Sequence, residues 1–469
     1  MSENTNAFQS FSSRKKFFTL LSLYAGIIGS IMVSATGSTM LPAAAIEVGG
    51  KDIYSLATTL SSVLSVVAMP LYGYFAAKNP AIKPKLFAFS LIVGAAAMFE
   101  RVFAQSMVNL IVTGALYGLV SAAVYVLGYS MVREIYDSKK AAVYLGFVGT
   151  FQSIGMLVGP TLCGVIIDTL SWRGVNHLIW PFMLLAGIFA IIGVNVKKDD
   201  VKDMAIDASF DAVGAVFLVL FLGGLILMLS LGTSFAKFGT IPSYILMAIA
   251  AIGLIGLILV IRAKGARCIV PATVLKDRNT LCLTLANLFI NFSNMAVYFF
   301  IPSYCLYAIQ VSGTQAGLTT TLMSVAGLFM GPIYGRQIGK TANARGVLFF
   351  GLSLRIVITV LFMLILRPTT PIIIVYILMV AAGFYSSQAG VTFAIAPQVQ
   401  VRPEIRVQSN SIIQIGQNFG GGIGTAVFSL VIGMLGIEKG MRVAFVIALV
   451  TAAIAFVCSI PLKKLEGDK

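Results

Sequence analysis

Fourteen apolar runs, most of them about 20 residues long, constrain this chain more than any other feature of its sequence. They begin near Phe17, Tyr54, Leu86, Val108, Val143, Leu178, Phe210, Tyr244, Leu281, Gln315, Val347, Pro371, Ser409 and Met441. A helix of about 20 apolar residues crosses the hydrocarbon core of a bilayer. Only 11% of the 469 residues are charged, against about 25% in soluble proteins. The sequence therefore predicts an all-α membrane protein with fourteen transmembrane helices and excludes a single soluble domain.

The net charge of +16 follows the predicted topology. With the N-terminus inside, 25 of the 33 basic residues fall in inner loops or tails, 7 fall in outer loops, and Arg355 lies within a span. Cytoplasmic loops carry such an excess of lysine and arginine. We therefore expect a multi-pass plasma-membrane protein (in a bacterium, the inner membrane) with both termini in the cytoplasm, and no nucleic-acid partner.

The sequence offers little for other chemistry. The five cysteines lack metal-ligand spacing, and His177 is the only histidine, so we expect neither a metal site nor a cofactor. No phosphate-binding loop of the GxxxxGK[ST] type occurs, which disfavours ATP-driven transport. A membrane-embedded enzyme would need convergent catalytic groups, and a receptor would need a signalling domain. We expect neither class and assign no catalytic residue.

The two halves of the chain match at an offset of 262 residues. The stretch 70–73 aligns with 332–335, and Gln152 aligns with Gln414. Because eight helices separate the copies, the repeats are parallel, a design that permits alternating access in transporters. Gly73, Gly335 and Arg336 lie at this matched stretch, before the loops after the second and tenth spans.

The repeat predicts two pseudo-symmetric six-helix bundles with two inserted central helices. The predicted segments are a cytoplasmic tail (1–16), an N-terminal bundle (17–196), linkers with helices 7 and 8 (197–280), a C-terminal bundle (281–462) and a cytoplasmic tail (463–469). We expect a monomer embedded in the lipid bilayer.

The fifth span carries a spaced glycine pattern, formed by Gly146, Gly155, Gly159, Pro160 and Gly164. It resembles the antiporter motif of the major facilitator superfamily, G-x8-G-x3-G-P-x2-G-G, with Cys163 in the penultimate place. Glycines four apart allow two helices to approach closely. Over essentially its whole length the chain is similar to the fourteen-helix drug:proton antiporter branch, which includes bile-acid carriers. The resemblance implies alternating access and a fifth helix at the interface that seals one side. It also implies that the loops after the second and tenth spans gate the cytoplasmic side, with Gly73, Gly335 and Arg336 as candidates.

Two positions depart from that branch. The aspartate usual in the first span is Val33, and the arginine usual in the fourth span is Gly114. None of the 17 carboxylates falls mid-membrane in the predicted topology. A lipophilic cation would lack a counter-charge, so we expect a neutral or anionic cargo.

Uncharged polar residues form the candidate substrate cavity. In the ninth span four of them share one face at helical spacing, and in the fourth span three recur every four residues. Glutamines of the fifth, thirteenth and twelfth spans complete the set. The residues are Asn287, Asn291, Asn294, Tyr298, Tyr117, Ser121, Tyr125, Gln152, Gln414 and Gln388. Hydrogen bonds between helices and ordinary packing are the alternatives for these stripes.

Four charged residues complete the candidates. Arg355 could attract an anion, or its side chain could reach the inner interface. Glu100 and Arg101 form either an interfacial pair or a functional one. Asp211 opens the seventh span. If protons couple to transport, Glu100 or Asp211 could carry them, since burial raises a carboxyl pKa, and a protonated substrate could carry them equally well.

The leading hypothesis is proton-coupled efflux of an amphipathic neutral or anionic compound by a secondary transporter. One alternative is uptake of an organic anion of the bile-acid type, by proton symport or uniport. Another alternative is export of cationic drugs.

Overall fold

The computed structural model describes residues 8, 10–50, 55–196, 211–231, 239–265, 268, 272–311 and 313–465. Its long helices are α1 (Ser13–Val48), α2 (Ser55–Lys78), α3 (Lys83–Glu100), α4 (Met107–Ile135), α5 (Ser138–Thr169), α6 (Trp172–Ile192) and α7 (Ala212–Leu231). They continue with α8 (Ile241–Lys264), α9 (Arg278–Tyr298), α10 (Gly313–Thr341), α11 (Arg345–Ile365), α12 (Ile372–Val399), α13 (Arg406–Leu435) and α14 (Ile437–Ser459). These described segments contain helices and turns but no strand. The predicted all-α fold is confirmed.

Twelve of these helices are long and apolar enough to cross a membrane. The other two are α7, with a shorter apolar stretch at Val213–Leu225, and α13, which is 30 residues long. Both occupy the chain positions of predicted spans. The total of fourteen transmembrane helices stays a prediction.

Short polar residues begin several helices, which explains why some carboxylates lie at helix ends. The Asp137 carboxylate accepts a hydrogen bond from the backbone N–H of Lys140 (2.8 Å) and caps α5. Asp277 accepts from the N–H of Thr280 (2.9 Å) and caps α9. Such caps satisfy donors that the helix itself leaves unpaired.

Large apolar side chains such as Phe89, Ile255 and Ile377 lie exposed on the outer faces of the helices. A protein in water rarely exposes so much apolar surface, whereas lipid solvates it. The exposed faces therefore agree with the predicted bilayer around the helices.

Inter-helix contacts form two groups. In one group α1 packs on α5 and α6, α2 packs on α4, and α3 packs on α4 and α6. In the other group α9 packs on α13 and α14, α10 packs on α12, and α11 packs on α12 and α14. Between the groups, α5 contacts α10 and α12, and α2 contacts α13. Helix α7 packs on α8 and α2.

The division into a 17–196 bundle, a 197–280 insert and a 281–462 bundle stays a prediction. Residues 197–210 of the predicted linker lie outside the described part of the chain. The same holds for 1–7 and 9 of the predicted N-terminal tail and 466–469 of the C-terminal tail.

Polar contacts define one end of the molecule, which we call the basic end. There Lys83 at the start of α3 pairs with Glu134 near the end of α4. Arg133 of α4 donates to the carbonyl of Gln398 near the end of α12 (3.2 Å). The side chain of Asn279, at the start of α9, donates to the carbonyl of Lys463 (2.9 Å). The basic end is the side that the charge distribution predicts to be cytoplasmic.

Candidate functional site

Helices α5 and α10 cross at the basic end with backbone against backbone. A Cβ added at Gly335 would lie 2.6 Å from the Cα of Gly146, and one added at Gly331 would lie 2.6 Å from the Gly146 carbonyl oxygen. Approaches this close leave no space for a larger residue. The Thr150 hydroxyl donates to the carbonyl of Leu328 across the same contact (3.0 Å). We call this crossing the glycine seal.

A second crossing joins α2 to α13. A Cβ added at Gly73 would lie 2.8 Å from the Ser411 hydroxyl and 3.5 Å from the Gln408 Cα. The offset of 262 residues relates this contact to the glycine seal, since it carries Gly73 onto Gly335 and Gly146 onto Gln408. Arg336 follows Gly335 and is exposed.

Toward the opposite end, the glycines of α5 face α1 instead of α10. A Cβ at Gly155 would lie 2.9 Å from the Ile31 side chain, and one at Gly159 would lie 3.5 Å from the Met32 Cα. The first glycine of the motif thus contacts α10 in the glycine seal, and the next two contact α1. The side-chain surroundings at Pro160 and Gly164 fall outside what the structure describes.

Helix α4 contains a π turn, Val124–Gly128, and α13 binds to it. Asn410 of α13 donates from its Nδ2 to the carbonyl of Tyr125 (3.1 Å) and to that of Val126 (3.4 Å). Its Oδ1 is buried without a hydrogen-bond partner among the described residues. π turns are frequent at functional sites. The backbone carbonyls of this turn accept hydrogen bonds from α13, so the turn connects the first helix group to the second.

Two of the predicted cavity residues meet beside this turn. The side chains of Tyr125 and Gln152 lie near each other, and both are half-buried. The Gln152 Oε1 lies 2.8 Å from where a Cβ on Gly390 would stand, so α12 passes directly over it. Tyr125 and Gln152 therefore lie together among α4, α5 and α12.

The other two candidates of α4 are held by packing contacts. The Tyr117 hydroxyl is buried and donates to the carbonyl of Ser30 in α1 (2.8 Å). Ser121 shares a hydrogen bond with Ser65 of α2 (2.9 Å). These geometries match the interhelical alternative.

The asparagine stripe of α9 divides in the same way. Asn287 is fully buried and donates to the carbonyl of Ile413 in α13 (2.9 Å). Its own Oδ1 accepts from the Nδ2 of Asn291 (2.8 Å). Asn291 and Asn294 are half-buried, so they are the members with surface left for a ligand.

Arg355 lies in the interior of the second helix group, with 2% of its surface exposed. Its Nη1 donates to the carbonyl of Ile290 (3.2 Å) and to the Oδ1 of Asn294 (3.3 Å). The guanidinium lies over the ring of Tyr385, 4.2 Å from its centroid. The structure thus favours an internal position over the interfacial one that the sequence left open.

The remaining polar candidates are two glutamines and a tyrosine. Gln388 is buried between α11 and α12 and donates to the Thr392 hydroxyl (2.7 Å). Gln414 is buried and donates to the carbonyl of Phe393 (3.3 Å). Tyr298 is half-buried at the end of α9. The two glutamines fit helix packing better than ligand binding.

Glu100 and Arg101 point to different environments. Glu100 is exposed and accepts from Asn109 (3.3 Å). Arg101 is buried, and its Nε donates to the Thr113 hydroxyl (2.9 Å). Its guanidinium lies 3.0 Å from where a Cβ on Gly114 would stand. The space left by the missing side chain of α4 is therefore filled by an arginine that comes from the end of α3.

Asp211 lies at the basic end and makes structural contacts. It caps α7 by accepting from the N–H of Gly214 (2.9 Å). It also pairs with Lys264 at the end of α8 (2.7 Å). These contacts connect α7 to α8 through one buried carboxylate.

At the opposite end, Glu47 near the end of α1 binds the start of α6. It forms an ion pair with Arg173 and accepts from the indole N–H of Trp172 (2.7 Å). The hydrogen bond from Arg173, followed by that from Trp172, lowers the pKa of Glu47 below its ordinary value of 4.5. Arg173 also donates to the carbonyl of Ala104 (3.0 Å).

Sequence reasoning missed Asn410, Tyr385 and Gly331. The four-residue spacing of Gly331 with Gly327, Gly335 and Gly339 is visible in the sequence and could have identified the α10 side of the seal. Nothing in the sequence marks Asn410 or Tyr385, because their roles depend on the helices that they face.

Comparisons with known proteins agree with this architecture. Residues 23–267 and 283–467 match the model of the Major Facilitator Superfamily. The multidrug transporter protein MdtP of Bacillus subtilis is 23% identical over 322 residues, which cover 68% of this chain but only 58% of MdtP. Multidrug resistance protein 3 of the same bacterium is 23% identical over 417 residues, 88% of this chain and 79% of that protein.

A solved structure extends the likeness. The crystal structure of the human organic anion transporter MFSD10 has a TM-score of 0.67 with 12% identity, over 94% of this chain and 99% of that one. At this identity the likeness concerns the fold alone. The family match covers most of the chain, which therefore belongs to the Major Facilitator Superfamily.

Proposed function

We propose that this transporter exports amphipathic neutral or anionic organic compounds by alternating access. Export is coupled to protons. The carrying observation is the buried cation Arg355 behind Asn294. A charged side chain within the membrane is energetically costly, so such residues usually have a functional role. The ion pairs found among the described residues do not include Arg355. An anionic group at Asn294 would supply the missing counter-charge.

The neighbours of Arg355 support an anionic ligand. The hydroxyl of Tyr385 is buried and lacks a hydrogen-bond partner among the described residues. A hydroxyl donor beside a guanidinium suits a carboxylate or a sulfonate, since hydrogen bonds to charged groups are the strong ones. The ring of Tyr125 and the amides of Gln152 and Asn291 would hold the uncharged body of the compound.

The two crossings support alternating access. The glycine seal and the α2–α13 contact join residues of the proposed bundles 17–196 and 281–462 at the basic end. The excess of positive charge supports a cytoplasmic location for this end. We propose that Gly73, Gly335 and Arg336 act there in gating, and that opening separates α5 from α10 and α2 from α13.

Two other functions remain as candidates. Uptake of an organic anion is favoured by the same buried cation, and the structural neighbour MFSD10 is named as an organic anion transporter. Export of cationic drugs is favoured by the relatives named for multidrug transport. Cation export is the weaker candidate because the groups nearest the proposed site are an arginine and neutral polar side chains.

Transport in proteoliposomes with an imposed pH gradient tests the proposal. A panel of amphipathic acids, neutral compounds and cationic dyes should give gradient-driven movement of acids or neutral compounds, with dyes slower. Asn291→Ala and Tyr125→Phe should reduce that movement about tenfold, as expected for lost contacts of about 1.4 kcal/mol. The exposed Asn195 and the half-buried Tyr376 provide matched controls as Asn195→Ala and Tyr376→Phe. Movement restricted to cationic dyes would reject the proposal.

A further inference from the structure

A cavity lies at the basic end, apart from the residues of the proposed substrate site. Its volume is about 830 Å³, and it is bounded by the first turns of α1, the α4–α5 turn and one face of α5. Its α5 wall consists of Lys140, Tyr144, Phe147 and Phe151, spaced so that they share one helix face. The other face of α5 carries Gly146 and forms the glycine seal. We call this cavity the α1–α5 groove.

Aromatic side chains close the groove on its inner side. The rings of Tyr24 and Phe151 stack with centroids 4.2 Å apart, and the Tyr24 hydroxyl donates to the carbonyl of Tyr144 (2.8 Å). Phe17, 59% exposed, lies at the rim. The groove therefore opens on the side of α5 away from α10, and a molecule in it would not lie between the two halves of the transporter.

The groove is amphipathic along its depth. Its mouth carries the ammonium groups of Lys16 and Lys140 and the carboxylate of Asp137. Asp137 caps α5 and lies 3.7 Å from the Lys140 ammonium. Its interior is apolar, with Leu20 and Leu21 opposite the phenylalanines of α5. Both lysines stand within the first turns of apolar spans, at the level where lipid headgroups lie.

We propose that the α1–α5 groove binds an anionic phospholipid of the leaflet at the basic end. Lys16 and Lys140 would bind the phosphate, and one acyl chain would lie along Leu20, Phe147 and Phe151. Charge complementarity identifies the occupant, because Arg14, Lys15 and Lys139 add positive charge next to the mouth. Basic pockets between helices bind acidic headgroups, and each lysine near such a surface contributes about a factor of five in affinity.

The groove is also connected to the closed basic end. Tyr136 lines it, and the Tyr136 carbonyl accepts from the Nη1 of Arg133 (3.3 Å). Through its Nε the same arginine donates to the carbonyl of Gln398 in α12 (3.2 Å). A lipid that holds the α4–α5 turn in place would therefore favour the contact between α4 and α12.

Binding of a fluorescent phosphatidylglycerol to the purified full-length protein in detergent micelles tests the proposal. The double variant Lys16→Gln/Lys140→Gln should bind at least tenfold more weakly, because it lacks the two lysine charges that would bind the headgroup. The variant Lys463→Gln/Lys464→Gln removes two exposed charges at the same end and should bind like the wild type. A phosphatidylcholine analogue should bind weakly to all of them.

Two results would overturn the proposal. One is equal binding of phosphatidylglycerol to the wild type and to Lys16→Gln/Lys140→Gln. The other is competitive displacement of the lipid by a transported compound together with a raised transport KM in Lys140→Gln, which would make the groove a substrate site. The side chain of Lys140 is 69% exposed, so this single variant keeps the test valid if the double variant folds poorly. The lipid assay needs no transport, and its outcome is independent of the proposed function.

Discussion

At the scale of single residues, the buried cations are the most informative groups of this transporter. Arg355 and Arg101 are both internal, and both donate to neutral acceptors of neighbouring helices. Burying a charge without a countercharge is costly. The two differ in surroundings, because Arg355 lies next to the half-buried Asn294, whereas Arg101 fills the space beside Gly114. Arg355 is the better candidate for ligand contact.

Arg355→Lys should reduce transport of an anionic compound at least about tenfold while the protein remains folded. A lysine keeps the charge but loses the planar contact with Tyr385, and a desolvated cation–π contact contributes about 2 kcal/mol. Initial rates in proteoliposomes measure the effect. Arg345→Lys is the matched control, because Arg345 begins the same helix and lies over Phe349. Equal loss in both variants would contradict a specific role of Arg355.

Glu47 should make the stability of the opposite end depend on pH. Since its pKa is lowered in the folded protein, the Glu47 contacts contribute fully above about pH 4.5. They are lost as the pH falls through the lowered folded value. Trp172 and Trp180 are the two tryptophans, so a Trp180→Phe background reports on Trp172 alone. Acid titration should change its fluorescence and lower the Tm, and both changes should be absent when Glu47→Gln is added.

At the scale of elements, glycine spacing decides which helices meet. Helix α5 uses Gly146 against α10 and Gly155 against α1, so one helix contacts both halves of the protein. The π turn of α4 forms a different kind of helix contact, since its backbone carbonyls accept hydrogen bonds from the Asn410 side chain of α13. Close backbone contacts of this kind leave no room for a larger side chain, yet they include few hydrogen bonds. They suit an interface that must separate and close again.

Gly335→Ala should impair transport about tenfold or more with little loss of folded protein. The added methyl would meet the Gly146 backbone at 2.6 Å, and overpacking of this kind costs about 1–3 kcal/mol. The cost falls on the closed seal, because this contact joins the two helix groups. Gly317→Ala lies on the same helix with no atom within 4 Å of the added methyl and should transport normally. Transport rate and the monodisperse yield on size-exclusion chromatography measure the two effects.

At the scale of the whole molecule, the contacts between the two helix groups concentrate at the basic end. The seal runs along α5 from Lys139, next to Gly339, to Ser153, whose hydroxyl would meet a Cβ added at Gly327. At the opposite end, the Glu47 contacts connect α1 to α6 within one group. The proposed alternating access requires this end to open once in each transport cycle.

A disulfide across the basic end should therefore stop transport reversibly. A Cβ on Gly339 would lie 3.7 Å from the Lys139 Cα, within the reach of a disulfide. In a background without the five native cysteines, Lys139→Cys/Gly339→Cys should lose nearly all transport on oxidation and regain it with reductant. Each single variant is the control. Normal transport by fully oxidised double variant would mean that this end does not need to open.

The sequence alone determined the fold class and the family. Apolar runs of about 20 residues can satisfy their backbone in lipid only as helices, and the glycine pattern around Gly146 is local enough to be read directly. The internal repeat even paired Gly73 with Gly335, and the structure places both at crossings related by that offset.

Only the tertiary structure decided which polar residues share a site. Tyr117 and Asn287 match Tyr125 and Asn291 in residue type and helical position, yet their hydrogen bonds join neighbouring helices. The internal position of the Arg355 side chain also depends on neighbours distant in the chain. The same is true of Arg101, whose side chain fills the space beside Gly114. The physical reason is that a polar group in a membrane protein must find a partner, and its partner is set by helix packing rather than by its own sequence.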